Sequence, residues 1–569
     1  MYFDLRRPTK WNERDWLLLA LLSLAAIFAF LAGLNSFGIL DPSDGYYSEG
    51  AREMFASGDW LIPHLNSVWF FDKPIMNYWL IAGCFKLFGV SEFVSRLPAA
   101  FCGAAIVPSL YAFARQFLRR RAALLSAVAL LASPMWLIMG HMSLTDMPLS
   151  FFTWVALFNL FVAHERNKPN LLWIGYAALA GGLLTKGPLA LFLVAMNFGL
   201  YLLLRRPTLP NIWAMIIKLR VVPGLLLTLG LALPWYLSVN SATHGVFFQE
   251  FFLNQNINRA MGTVDHRAGF WYYIPAVLGA AFPWNLFFLS WPKSWFRPWL
   301  QYIKGRDISL RARVTAFSVT TVCATLLFFS LLPTKLVTYV LPVLPGMALL
   351  AGVNLDERLR LLNRKSISSV LIALVVLLVG AAAATTLSLA LGKSVQVAPF
   401  GLKTQALLQD LAVSTDSSVR VFLAVTTALL SLAGLCLLMG SALKRRKIAY
   451  NLFVVVTAIA VVLSVPGGIV LGYQQKCRDM QALVLYAKNQ RLNLTMLGHR
   501  NPSAMFYMQE PVKFVAGNRD LLLFLRKSAE HGRKETFLVH RIDFDGLRKE
   551  GVPVSVIEER GDWILGRSQ

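Results

Sequence analysis

The chain has 569 residues, 56% of them hydrophobic and 15% charged, with a mean hydropathy of +0.55. A soluble chain carries about 25% charged residues and a disordered one is apolar-poor and highly charged, so both classes are excluded and a polytopic helical membrane protein remains. The net charge of +25 would point to nucleic acid in a soluble protein. In a membrane protein it marks cytoplasmic loops facing anionic lipid, so membrane lipids, and no nucleic acid, are the expected partners.

Crossing ~30 Å of hydrocarbon takes about 20 apolar residues. In chain order the segments that reach or approach this length are 16–34, 93–114, 122–139, 147–163, 171–185, 188–204, 221–239, 270–290, 314–332, 336–353, 367–391, 421–440 and 448–471. The first follows Arg6, Arg7, Lys10 and Arg14; with no small-residue cleavage pattern after it, it reads as a retained helix. Pro74–Gly89 is apolar but too short to span comfortably, and is expected to lie at the interface. With that segment not crossing and the N-terminus inside, seven inside loops hold 28 of the 55 Lys and Arg residues. A crossing there would put every later loop on the wrong side. The sequence therefore predicts thirteen spans, a cytoplasmic N-terminus and a C-terminus outside.

The expected organisation is a membrane domain over 1–471, with a long first outer loop at 35–92, and a small outer α/β domain over 472–569. In the latter, short apolar runs (Leu492–Leu497, Val512–Val515, Phe537–Val539, Val552–Ile557) alternate with helix-like stretches, Arg478–Lys488 and Arg519–Ala529. Cys84, Cys102, Cys323 and Cys436 lie in apolar stretches and Cys477 beside a polar one, so neither a disulfide framework nor a Cys-based zinc site is read.

Candidate chemistry gathers at the outer face. In the first loop Asp41, Asp44 and Asp72 are embedded among Trp, Tyr and Phe, a composition suited to an interfacial pocket. Asp146, in Thr145-Asp146-Met147-Pro148, is favourably placed to cap the next helix. Asp265-His266-Arg267 precede the apolar Phe270-Trp271-Tyr272-Tyr273, and Asp72 with His266 could supply oxygen and nitrogen ligands to a divalent metal. Lys335 and Tyr339 are spaced i, i+4, so that on a helix a cation and a phenol share one face and can hold a lipid-borne phosphate. Lys186 is a similar outer-end cation, and Lys73 and Arg267 complete the set. Positive charge at an outer leaflet calls for an anionic lipid headgroup, and carboxylates beside it for group transfer. A transporter would place charge near the span centres, which are almost free of it here. A membrane scaffold would put its working part in the tail.

Tyr47-Ser48-Glu49, Ala51-Arg52-Glu53-Met54, Ser57-Gly58-Asp59-Trp60, Phe71-Asp72-Lys73-Pro74, Arg96-Leu97-Pro98, Leu144-Thr145-Asp146-Met147-Pro148, Thr185-Lys186-Gly187-Pro188 and Lys335 to Pro342 follow one another in order. Together they resemble the aminoarabinose transferases of lipid A and the wider protein mannosyltransferase-like superfamily. The resemblance implies a GT-C fold glycosyltransferase of the bacterial inner membrane. Such an enzyme takes a sugar, possibly 4-amino-4-deoxy-L-arabinose, from undecaprenyl phosphate to lipid A, or to a protein acceptor. No cofactor is expected to be required, a divalent metal held by Asp72 and His266 being the open alternative. The resemblance places an Asp of the first loop and Asp146 as acidic site residues, with Lys73, Tyr339 and His266 around the donor phosphate; Tyr47, Arg267 and Lys335 join them as candidate phosphate-binding residues. Where relatives carry an Asp-Glu pair this chain has Ser43-Asp44, so either Asp44 or Asp41 takes the place of the base.

Overall fold

The computed structural model describes residues 11–258, 268–285, 293–361, parts of 452–469, 477–497 and 501–568. Helix α1 (Glu13–Leu31) opens with a reciprocal cap. The Asn12 side chain accepts from the Asp15 N–H at 3.3 Å, and the Asp15 carboxylate accepts from the Asn12 N–H at 3.1 Å. The first loop then folds into α2 (Ser43–Ser57), a hairpin of β1 (His64–Leu65) and β2 (Val68–Trp69), and α3 (Met76–Phe88). As a helix, α3 rises only ~20 Å, too little to cross. α4 (Glu92–Arg115) starts at Ser91, whose hydroxyl accepts from the Val94 N–H.

The expected span 122–139 is broken. α5 (Arg120–Leu131) and α6 (Pro134–Gly140) meet at 57°, because Pro134 lacks an N–H and pushes Ser133 out of the helical region. α7 (Asp146–Arg166), α8 (Leu171–Lys186), α9 (Pro188–Leu203), the short α10 (Leu209–Lys218) and α11 (Val221–Ala242) follow. A π-helical segment covers Phe248–Asn258. Within the expected span 270–290, Phe270–Tyr272 is 3-10 and α12 (Tyr273–Ala280) is helical, a turn follows at 281–283 and helix resumes at 284–285; residues 286–290 lie outside the described residues. Then come α13 (Lys293–Ile303), α14 (Leu310–Leu331), a 3-10 segment Val337–Val343, α15 (Leu344–Leu361) and α16 (Val454–Leu463). Among the described residues six helices are long and apolar enough to cross a membrane, seven if α5 and α6 form one span. The expected spans 367–391 and 421–440 lie outside the described residues.

Charge separates the two ends of the bundle. At one end Asp15 accepts from Arg115 at 2.7 Å and Arg120 at 2.8 Å, and Glu165 accepts from Arg313 at 2.8 Å and the Tyr201 hydroxyl at 2.7 Å. The first loop and the C-terminal domain sit at the other.

The C-terminal domain runs α17 (Arg478–Asn489), β3 (Leu494–Leu497), α18 (Pro502–Met508), β4 (Lys513–Val515), α19 (Asn518–Glu530), β5 (Thr536–His540), α20 (Arg541–Lys549), β6 (Val554–Arg560) and β7 (Trp563–Ser568). Its sheet has the order β4-β3-β5-β7-β6. β3 is parallel to both β4 and β5, while β7 pairs antiparallel with β5 and β6. Leu521, Leu525, Phe537, Val539 and Phe544 form a core on one side of it. Met480, Leu483, Met505 and Phe506 instead join the core of the membrane domain, so the tail is seated on the bundle. Polar contacts fix the seat: the Tyr507 hydroxyl accepts from the Ile39 N–H at 2.9 Å, and Asn66 exchanges hydrogen bonds with the Val512 backbone at 2.9 and 3.0 Å.

Candidate active site

Between the first loop, the α6–α7 and α8–α9 junctions, the 3-10 segment and the tail lies a cavity of about 1020 Å³. Asp41, Tyr47, Asp72, Lys73, Asp146, Lys186 and Tyr339 line it, from stretches up to about 300 residues apart. A wall of aromatic rings encloses them: Tyr46 packs on Phe70 with centroids 5.5 Å apart, and Phe71 meets Phe247 edge-on at 5.4 Å.

The polar groups form three units. Asp72 accepts from Lys73 Nζ at 2.9 Å through Oδ1 and from the Tyr47 hydroxyl at 3.0 Å through Oδ2. Burial, with Asp72, Tyr78 and Asp146 close by, holds the Tyr47 phenol well above its usual pKa, so it stays a neutral donor. Asp146 accepts from Lys186 Nζ at 2.8 Å, and that ammonium stands 5.3 Å from the centroid of the Tyr339 ring. Asp146 does not cap α7 as its position favours; Thr145 precedes the helix with no side-chain cap bond, and the carboxylate pairs with Lys186 across the cavity instead. Asp41 accepts from the Ser503 N–H at 2.9 Å and from the Ser503 hydroxyl. Burial raises its pKa to about 7 although both Ser503 bonds pull it down.

Asp44 stands behind the cavity. It is 2% exposed and accepts from Arg96 at 2.8 Å, the Ser143 N–H at 2.7 Å and the Leu40 N–H at 3.1 Å. Arg96 also donates to the carbonyls of Leu34, Phe37 and Gly38 at 2.7–2.9 Å. Of the two candidate bases, Asp41 faces the cavity and Asp44 anchors the loop.

Lys335 and Tyr339 do not share a helix face. Residues 332–336 are not helical and Val337–Val343 is 3-10. The Lys335 ammonium bonds the Leu332 carbonyl and the Ser330 carbonyl, the latter at 2.9 Å, closing the end of α14 outside the cavity lining. His266 and Arg267 lie outside the described residues. Among the described residues no three His, Cys, Asp or Glu side chains cluster as a metal site. Glu250, Gln255, Cys477 and Asn501 also line the cavity and carried no sequence signal. Five of the lining residues, Asp72, Lys73, Lys186, Gln255 and Tyr339, also border an apolar groove walled by Leu189, Phe192, Phe251, Phe328 and Phe329. The polar cavity therefore opens directly onto a greasy channel.

Residues 72–235, which carry Lys73, Asp146 and Lys186, match the family described as dolichyl-phosphate-mannose-protein mannosyltransferase. The undecaprenyl phosphate-alpha-4-amino-4-deoxy-L-arabinose arabinosyl transferase 2 of Pseudomonas fluorescens is 30% identical over 394 residues, 68% of this chain and 64% of that protein. Over these residues the chain is similar to the aminoarabinose transferases. The Pseudomonas aeruginosa transferase is 30% identical over 351 residues, 60% of each chain. The alignments thus span less than two thirds of the curated aminoarabinose transferases' length. In fold the likeness is end to end. The crystal structure of ArnT from Cupriavidus metallidurans superposes with a TM-score of 0.74 at 22% identity, over 97% of this chain and 98% of that one. The same transferase bound to undecaprenyl phosphate gives a TM-score of 0.71 at 20% identity, over 98% of each. The GT-C fold read from the sequence is therefore present in this multi-pass membrane protein.

Proposed function

We propose that the protein is an integral membrane glycosyltransferase that moves a sugar, 4-amino-4-deoxy-L-arabinose in the preferred reading, from undecaprenyl phosphate to lipid A. The observation that carries this is the continuity of two environments: a cavity with Lys73, Lys186 and four carboxylates opens onto an apolar groove, and both share Tyr339. That suits a ligand with an anionic head and an isoprenoid tail. The known activity of the aminoarabinose transferases supports the choice of substrates.

In this reading the sugar C1–O bond breaks, and its electron pair leaves with the polyprenyl phosphate. Lys73 and Lys186 neutralise that growing charge in the cavity, and Tyr339 binds the phosphate. Asp41 takes the acceptor's remaining proton as the acceptor oxygen attacks C1. Asp146 orients Lys186 and Asp72 orients Lys73. Protein charges do the electrostatic work, so transfer is expected to need no cofactor. The site faces the periplasm of the inner membrane, with the N-terminus in the cytoplasm, as the charge of the loops implies.

The test is transfer from undecaprenyl-phosphate-linked aminoarabinose in membranes. Lys73→Ala is expected to lower kcat about 10²–10³-fold and Asp41→Asn about 10²–10⁴-fold; near-normal turnover in both overturns the assignment. A protein acceptor is the second reading, favoured by the mannosyltransferase match over 72–235. Mass analysis of lipid A and of secreted proteins, with and without this chain, separates the two.

A further inference from the structure

Among the described residues, the C-terminal domain bonds a carboxylate of the cavity through Ser503. This residue is fully buried on α18 and lies 462 positions from Asp41 in sequence. Its backbone N–H donates to one Asp41 oxygen and its hydroxyl to the other. The fit is close. A Cβ on Gly45 would come within 2.6 Å of the Pro502 ring and 2.9 Å of the Asp41 carboxylate, so α18 reaches Asp41 because that position has no side chain. Asn501 and Cys477, from the same domain, line the cavity beside it.

We propose that Ser503 is a positioning residue for sugar transfer: it aims the Asp41 carboxylate into the cavity and favours its ionised form, so the C-terminal domain completes the active site. This rests on the transferase reading above and deepens it.

The chemistry is direct. Both Ser503 donors bind the carboxylate in its charged, proton-accepting state and compete with burial, which favours the neutral acid. The neighbouring charges do not substitute for them. From α2 Asp41 faces Asp44, which repels ionisation and is itself paired with Arg96 of α4. Around the cavity stand the Asp72–Lys73 and Asp146–Lys186 pairs and Glu250. From the tail come the Ser503 donors and the Cys477 thiol. With an acceptor hydroxyl or phosphate monoanion, the proton passes to Asp41 as the acceptor oxygen bonds C1 and the polyprenyl phosphate departs. Activity then rises with pH through the Asp41 pKa, and losing a Ser503 donor raises that pKa.

The experiment uses the full chain in proteoliposomes with undecaprenyl-phosphate-linked aminoarabinose and lipid A. Ser503→Ala is expected to move the acid limb of kcat upward by about one pH unit, consistent with the worth of one hydrogen bond to a charged group. It should lower kcat about tenfold below the limb and leave the donor KM within about twofold. Asn66→Ala, which loosens the tail at Val512 without touching Asp41, should leave the limb in place. An unmoved limb in Ser503→Ala, or an equal shift in Asn66→Ala, overturns the proposal. If the wild-type chain transfers no sugar, the transferase reading itself fails. Infrared titration of the Asp41 carboxyl, taken as the difference from Asp41→Asn, reads the same residue without turnover. A higher midpoint in Ser503→Ala supports the ionisation role, and an identical midpoint overturns it.

Discussion

Asp44 and Arg96 are 2% and 0% exposed, where an unpaired charge is expensive. The guanidinium ties that carboxylate and three carbonyls of the first loop into one knot. Arg96→Met is expected to destabilise the protein by about 3–5 kcal/mol, because it leaves Asp44 buried without its partner. The double variant with Asp44→Asn should recover part of that loss, as a drop in thermal midpoint in detergent would show for the single variant and its partial reversal for the pair. The Lys186–Asp146 pair follows the same logic but sits in the cavity, so its loss should appear first in turnover. Lys186→Met is expected to cut transfer at least tenfold while Lys186→Arg retains more, since Arg keeps the charge and the bond to Asp146.

At the scale of elements, the site is built where helices stop. α8 ends and α9 begins at Gly187, whose φ of +68° is open to glycine but strained for other residues. A Cβ there would also meet the Phe251 ring at 2.6 Å. Pro188 follows, where a missing N–H is harmless. This junction presents Lys186 sideways to the cavity and brings Phe251 to the groove. Gly187→Ala is expected to misplace both, raising the donor KM several-fold while the chain still inserts in the membrane; an unchanged KM would disprove this. Gly45→Ala acts on the opposite wall by forcing α18 away from α2. It should lower transfer and expose the tail to limited proteolysis, and equal protease resistance to wild type would show the two helices are not so closely fitted.

Across the whole molecule, charge and packing divide the work between the two ends. The end carrying Asp15, Arg115, Arg120, Glu165 and Arg313 is fastened by ion pairs, and the other holds the cavity and the C-terminal domain. Because α17 and α18 contribute Met480, Leu483, Met505 and Phe506 to the bundle's core, deletion after residue 471 should abolish transfer, and adding back residues 472–569 in trans should not restore it fully. Since lysines supply the charge, transfer is expected to survive EDTA; loss on chelation with recovery on adding a divalent ion would place a metal in the site.

Much of this was legible in the chain because it is written locally. An apolar run of the right length specifies a spanning helix wherever it sits, so the limits of α1, α4, α7, α11 and α14 fall within a few residues of expectation. Four short strands of the tail were also readable from apolar runs. β7 was missed although Gly561, at φ +54°, marks the turn from β6. Proline breaks were harder to weigh: Pro134 divides an apolar stretch that reads as one span, and the residues after Pro333 do not form the helix that the Lys335 and Tyr339 spacing assumes. Motif composition nominated Asp41, Lys73, Asp146 and Tyr339 for one face of the membrane. It did not distinguish Asp41 from Asp44, since three residues of spacing say nothing about which carboxylate meets Arg96. Nor did it show Ser503, because a hydrogen bond across 462 residues leaves no local trace. Local hydrophobicity and charge determined which segments enter the lipid and which residues wait at its surface. Which of those residues touch depends on long-range packing, and the tertiary structure alone decided that.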